Sequence, residues 1–251
     1  MRALAVIPAR LGATRLPRKP LRLLAGVPLV VRVWQRVTEI GVADRVVVAT
    51  DSEEVAQAAR EHGAGVVMTR TSHPSGTDRV AEVAARPEFL DFGVIINVQG
   101  DEPFVSAQAV AGAAHLVSDS RFALGTAAVL APRDVLDDPH VVKVVADDLG
   151  RAMYFSRAPI PFLQNDRDAE TQRAHVWQHI GVYAYTADAL RRWVALPVNP
   201  LEQIERLEQL RPMAAGMAMG VALVDEPVRP GIDTEQELER ANEQWTAFTT
   251  G

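Results

Sequence analysis

The sequence predicts an α/β fold: a mostly parallel sheet with helices on both faces and a smaller antiparallel extension. In the first half, short apolar runs bounded by turn residues alternate with segments of helical spacing, the pattern of a parallel sheet. After Phe122 the rhythm changes, and short strands follow one another without long helices between them. The chain has 251 residues, 48% hydrophobic and 23% charged, as expected of a globular protein able to bury its own core.

Ala3–Pro8 reads as a buried strand, and Ala9–Leu24 as a cationic loop, with four of its cations between Arg10 and Lys19. Pro28–Ile40 has helical spacing, with Pro28 suited to a first turn. Arg45–Thr50 is a second strand. Asp51 or Ser52 can cap a helix over Glu53–His62, which Gly63 ends. Gly65–Thr69 and Val94–Val98 are the third and fourth strands, with helical stretches at Thr77–Arg86 and Ala107–Val117. Ala123–Leu130, Val141–Ala146 and Arg151–Phe155 form the antiparallel extension, turning at Asp147–Gly150. Pro200–Leu210 is expected to be one helix, Ala218–Val224 a strand and Thr234–Phe248 a closing helix. No repeat or linker is visible. The expectation is one domain over 1–251, with a smaller lobe around 122–185.

Composition narrows the function classes. There is no cysteine, which excludes disulfides and thiolate metal sites and fits a cytoplasmic protein. The net charge of −6, from 26 basic and 32 acidic residues, argues against nucleic acid as a partner. Met1–Pro8 is too short for a targeting core, and no run approaches the roughly 18 apolar residues of a membrane span. No membrane partner is expected.

The first loop carries Arg10, Arg15, Arg18 and Lys19 just after a strand of a parallel sheet. Ligands of such sheets bind beyond the carboxyl ends of the strands. Arginine forks grip phosphate oxygens, and Lys adds a point charge. The same loop can also be a solvated basic surface. Neither a P-loop nor a dinucleotide fingerprint occurs. Asp101, after the fourth strand, can hold a hard cation such as Mg²⁺, or can be a turn or cap residue. Asp233 has the same two readings, because Asp233 or Thr234 can cap the last helix. Ser75-Gly76-Thr77 offers small polar groups, or simply a turn into a helix. Arg157 and His179 are candidate substrate contacts, or a surface ion pair and a structural imidazole. His62, His115 and His175 read as structural.

The segment Ile7-Pro8-Ala9-Arg10 through Lys19 resembles the nucleotide loop of the CMP-sugar-acid synthetases. Met68–Arg79, Asn97–Pro103, Tyr154–Pro161, His179–Tyr183, Leu207–Arg211 and Gly231–Thr234 match further motifs of that family in order. The resemblance runs from Ala3 to Glu239 and favours the 3-deoxy-manno-octulosonate (Kdo) branch over the sialate branch. It implies a three-layer nucleotide-diphospho-sugar transferase-like (Rossmann-like) fold. It also implies a Mg²⁺-dependent homodimer that transfers CMP from CTP to Kdo for lipopolysaccharide biosynthesis, releasing pyrophosphate. An amino-Kdo or sialate-like substrate, or a non-catalytic nucleotide-binding role, stays open. The implied catalytic residues are Arg10, Lys19, Asp101 and Asp233, with Asp101 and Asp233 as metal ligands. The implied nucleotide contacts are Ala9, Arg10, Arg15, Lys19, Ser75, Gly76, Thr77, Gln99 and Gly100. The implied sugar-acid contacts are Gln99, Arg157, His179, Tyr183, Glu208 and Gln209. Three departures stand out: Ala13 where Ser is usual, His140 where Asn is usual, and Phe162–Ala174, which matches no pattern.

Overall fold

The computed structural model describes residues 1–12, 15–131, 135–162, 175–226 and 229–249. It forms two compact units, Met1–Val105 with Arg229–Gly251, and Ser106–Val228.

In the first unit, β1 (Ala3–Ala9), β4 (Arg45–Thr50), β5 (Gly65–Met68) and β6 (Val94–Asn97) form a parallel sheet in the order β6-β1-β4-β5. Every residue of β1 is buried, which explains its unbroken apolar run. Between the strands come α1 (Leu29–Ile40), α2 (Glu53–Glu61) and α3 (Gly76–Ala84). Ser52 caps α2, and Asp51 instead pairs with the buried Arg79 at 2.9 Å. A short hairpin, β2 (Leu23–Leu24) with β3 (Val27–Pro28), interrupts the expected loop. Pro28 is therefore extended, at the N-cap of α1 rather than in its first turn.

The closing helix α8 (Glu235–Thr249) belongs to this unit. A small core of Leu16, Leu24, Leu29, Ile232, Leu238 and Ala241 packs the N-terminal loop against the residues around Asp233. Arg32 lies over the Trp245 ring at its edge. Burial of these side chains, each ordinarily favourable by about 1.5–3 kcal/mol, brings the two ends of the chain together.

The second unit contains α4 (Ala107–Ser118), β7 (Leu124–Leu130), β8 (Lys143–Ala146), β9 (Ala152–Ser156), β10 (Trp177–Tyr185) and β11 (Met219–Val224). β7 pairs antiparallel with β10 and parallel with β11, and β8–β9 is an antiparallel hairpin. Its turn is the expected Asp147–Gly150, with Gly150 at φ 76°. β10 and the helix after it, α5 (Ala187–Ala195), were not expected. The stretch Pro200–Leu210 is not one helix. It divides into α6 (Pro200–Glu205) and α7 (Leu210–Ala214), because Arg206 takes a left-handed conformation at φ 56°. Glu202, in a capping box with Asn199, pairs with Arg211 and ties the two pieces together.

Candidate active site

The first unit assembles its polar cluster at the carboxyl ends of β1 and β6. The turn Gln99–Asp101 lies directly against the end of β1: a Cβ at Gly100 would stand 2.8 Å from the Pro8 carbonyl oxygen. This close approach admits only glycine. Asp101 thereby faces the loop after β1. The small core described above carries Asp233 to the same place, and Ile232 N–H donates to the Asp101 carbonyl at 2.9 Å.

Asp101 and Asp233 converge on Lys19. The Nζ donates to Asp101 Oδ2 and to Asp233 Oδ1, each at 2.6 Å, and Arg15 reaches Asp233 Oδ2 at 2.8 Å. Burial works to lower the Lys19 pKa, but Asp101 and Asp233 outweigh it and hold the ammonium above its ordinary value. Burial, then the charges of Asp101 and Asp233, pushes the neighbouring Glu102 carboxyl up to about 8, against the pull of Lys19.

Neither aspartate serves as a cap. Thr234 caps α8: the Glu237 amide donates to its Oγ1, while the Asp233 and Thr234 amides donate to the Glu237 carboxylate. Ser106 caps α4. The Asp101 and Asp233 carboxylates thus meet around one cation, the chemistry a divalent ion requires. Among the described residues no three acidic or histidine ligands cluster, so the pair would supply two ligands and leave the rest to phosphate oxygens and water.

The remaining loop cations divide. Arg18 pairs with Glu54, and Arg10 is exposed. Ala9 is buried at the end of β1. Ala13 lies outside the described residues. Ser75 caps α3, donating to the Asp78 carboxylate at 2.8 Å, so Gly76 and Thr77 form the first turn of a helix. The loop before it is organised by Glu82, which binds Arg70, His73 and Arg86. Burial opposes the charge on Glu82, yet these hydrogen bonds hold its carboxyl down to about 2.

In the second unit a β-bulge between Ile180 and Tyr183 shapes the other cluster. His179 pairs with Ala128 and Tyr183 with Thr126, so the bulge shortens four residues to the span of two. The two rings then sit 5.5 Å apart. Thr126 Oγ1 donates to the Val182 carbonyl at 2.7 Å and accepts from His179 Nε2, which makes His179 the neutral Nε2–H tautomer. Burial depresses its pKa to about 3. Burial, with Tyr185 and Glu208 nearby, raises Tyr183 well above its ordinary value.

Arg157 donates to the Glu205 carbonyl and the Pro139 carbonyl, both at 2.9 Å. Glu205 also accepts from Ser156 Oγ at 2.6 Å and from the Arg157 amide. The buried Lys143 ammonium donates to three carbonyls, of Asp138, Val141 and Arg157. Sequence reasoning missed Glu205 and Lys143, which meet at Arg157: Glu205 accepts from its amide, and Lys143 donates to its carbonyl. Gln209 is 2% exposed and makes no cap hydrogen bond, and its Nε2 is a buried donor without a partner. The His140 amide bonds the Asp138 carboxylate at 2.8 Å. Phe162 is exposed, and 163–174 lie outside the described residues.

Comparison with known proteins shows the family of the chain. Residues 4–219 match the family described as cytidylyltransferase. A curated 3-deoxy-manno-octulosonate cytidylyltransferase from Gemmatimonas aurantiaca is 61% identical over 98% of this chain and 95% of its own length. A solved CMP:2-keto-3-deoxy-manno-octonic acid synthetase complexed with CTP superposes with a TM-score of 0.89 at 36% identity, covering 98% of this chain and 99% of that one. An inositol-1-phosphate CTP transferase from T. maritima shares the fold, with a TM-score of 0.68 at 14% identity and coverage of 100% and 97%. The chain belongs to the cytidylyltransferase family and, within it, to the 3-deoxy-manno-octulosonate cytidylyltransferases.

Proposed function

We propose that the chain transfers CMP from CTP to the anomeric hydroxyl of 3-deoxy-manno-octulosonate, releasing pyrophosphate, the reaction for which its relatives are named. The observation that carries the reading is the convergence of Asp101, Asp233 and Lys19 at the strand ends. Both units act as a single cytidylyltransferase domain, a reading supported by a family match that runs through both.

In the first unit Arg10, Arg15 and Lys19 bind the triphosphate, and Ala9, Gln99 and Gly100 bring backbone close to it. Ser75, Gly76 and Thr77 face the base from the first turn of α3. Asp101 and Asp233 would hold Mg²⁺, which would supply charge neutralisation at the α-phosphate and a lowered pKa for the attacking hydroxyl. In the second unit Gln209, with its unpartnered donor, and Glu208, Tyr183 and His179 hold the sugar acid. Neutral His179 and Tyr183 orient hydroxyl groups and carry no charge that would repel or trap the substrate. Arg157 faces the carboxylate of the sugar acid, its guanidinium plane fixed by the Glu205 and Pro139 carbonyls. The α-phosphorus is attacked in line as its bond to pyrophosphate breaks, and orientation and charge stabilisation supply the rate enhancement.

No helix among the described residues is long and apolar enough to cross a membrane. We place the enzyme in the cytoplasm, where CTP is available, as a homodimer. Exposed Leu130, Met153 and Leu223 on strands of the second unit support the dimer, and a light-scattering mass of 27.3 kDa, that of one chain, would refute it. The substrate is tested by pyrophosphate release with CTP and a panel of Kdo, 8-amino-Kdo and sialate. Kdo should give the highest kcat/KM; a higher value for either of the others reassigns the sugar.

A further inference from the structure

The sequence marks Asp101 and Asp233 and passes over Glu102, whose side chain the fold brings against the segment that carries Asp233. Its backbone belongs to the turn after β6: the Glu102 amide donates to the Gln99 carbonyl at 3.2 Å. Its side chain reaches the segment before the closing helix. A Cβ built on Gly231 would lie 2.7 Å from Glu102 Oε1, 3.1 Å from its Cδ and 3.2 Å from the Asp101 carbonyl oxygen. Real Cβ contacts do not come that close, so Glu102 occupies the space that any side chain at 231 would need. Gly231 is not in the left-handed region, so a side chain at 231 would meet this contact and not a strained backbone, and the Glu102 carboxyl would have to shift to admit it.

Gly231 is two residues from Asp233, and its neighbour Ile232 is pinned to the Asp101 carbonyl. The same segment borders a cavity of about 370 Å³ lined by Phe104, Pro230, Gly231 and Ile232. The segment therefore bears on Glu102 and has unfilled space beside it. Close packing transmits such a displacement, since interiors resist compression and fill by shifting.

We propose that Glu102 is a positioning residue: by bearing on Gly231 it sets the separation of Asp101 and Asp233, and so the affinity of that pair for a divalent cation. The inference rests on the proposed metal role of the two aspartates. It predicts a dependence on shape. Glu102→Gln keeps the contact and should behave as wild type. Glu102→Ala removes the support. Gly231→Ala drives a methyl group into it. The double variant Glu102→Ala with Gly231→Ala should be no worse than either single, because the methyl then fills the space the carboxylate left.

The experiment titrates Mn²⁺ into each protein in the presence of CTP without sugar acid, and follows protein-bound ion by water-proton relaxation, with circular dichroism as the check on folding. Glu102→Ala and Gly231→Ala should each weaken Mn²⁺ binding at least fivefold, Glu102→Gln less than twofold, and the double variant no more than the singles. Unchanged binding in both alanine variants overturns the proposal while leaving the metal reading intact. Loss of binding in Glu102→Gln equal to that in Glu102→Ala also overturns it, by making Glu102 a direct ligand. If Asp101→Asn binds Mn²⁺ as wild type does, the metal reading fails and the proposal with it.

Discussion

Gln209→Leu should separate substrate binding from stability. Gln209 is 2% exposed, and its Nε2 has no hydrogen-bond partner. A buried, unsatisfied polar group costs about 1–3 kcal/mol. Leucine has a similar volume and no polar atoms, so the substitution removes this cost without opening a cavity. Allowing for imperfect fit, the fold should gain about 1 kcal/mol, which raises the melting temperature by roughly 2–4 °C in a chain of this size. The same substitution deletes the donor proposed for the sugar acid. One neutral hydrogen bond contributes about 0.5–1.5 kcal/mol, so KM for Kdo should rise by about two- to tenfold while KM for CTP is unchanged. The assay is a thermal melt without ligands, paired with steady-state kinetics of pyrophosphate release. A protein that melts lower and keeps its KM for Kdo would show that Gln209 is a core residue with an internal partner, and would refute the reasoning.

Other outcomes follow from the same geometry. Asp101→Asn and Asp233→Asn should each keep the fold and lose most turnover, since an amide is a poorer Mg²⁺ ligand; Thr234 and Ser106 already cap the helices, so retained turnover would remove that residue from the metal pair. The double mutant should be scarcely worse than either single, because the two carboxylates act as a unit. In EDTA, Lys19→Met should destabilise the fold by about 1 kcal/mol, because two converging carboxylates lose their shared cation while partly exposed to water; Mg²⁺ should restore the loss but not turnover, and an EDTA melt equal to wild type would contradict the bridge. His179 lies at about 3 in the fold and near 6.5 when unfolded, so only the unfolded chain takes up its proton as the pH falls through that window. Its contribution is complete above pH 6.5 and should fall by about 2 kcal/mol at pH 5, a loss that urea melts of wild type show and those of His179→Asn do not.

The parallel half of the fold was legible because fully buried strands such as Ala3–Ala9 carry uninterrupted apolar runs, and because Ser52 and Ser75 mark helix starts. β10 was not legible. Its bulge breaks the alternation that marks a strand, and its centre, His179–Tyr183, reads as a sugar-acid-site motif. The break at Arg206 depends on a left-handed residue whose type gives no warning. In the site, the order of motifs located Asp101 and Asp233, but no pattern shows that one ammonium joins them. Glu102 was hidden by its neighbour, since Asp-Glu-Pro reads as a turn, and its role depends on a glycine that lies far away in the chain.

The central claim is that Asp101, Asp233 and Lys19 serve CMP transfer from CTP to Kdo. It is tested most directly by following the phosphorus resonances of CTP with the purified protein, Kdo and Mg²⁺. The account predicts loss of the triphosphate signals, with equal growth of pyrophosphate and of one phosphodiester, and no change when either Kdo or Mg²⁺ is left out. Conversion of CTP without Kdo, or full conversion in EDTA, would contradict it.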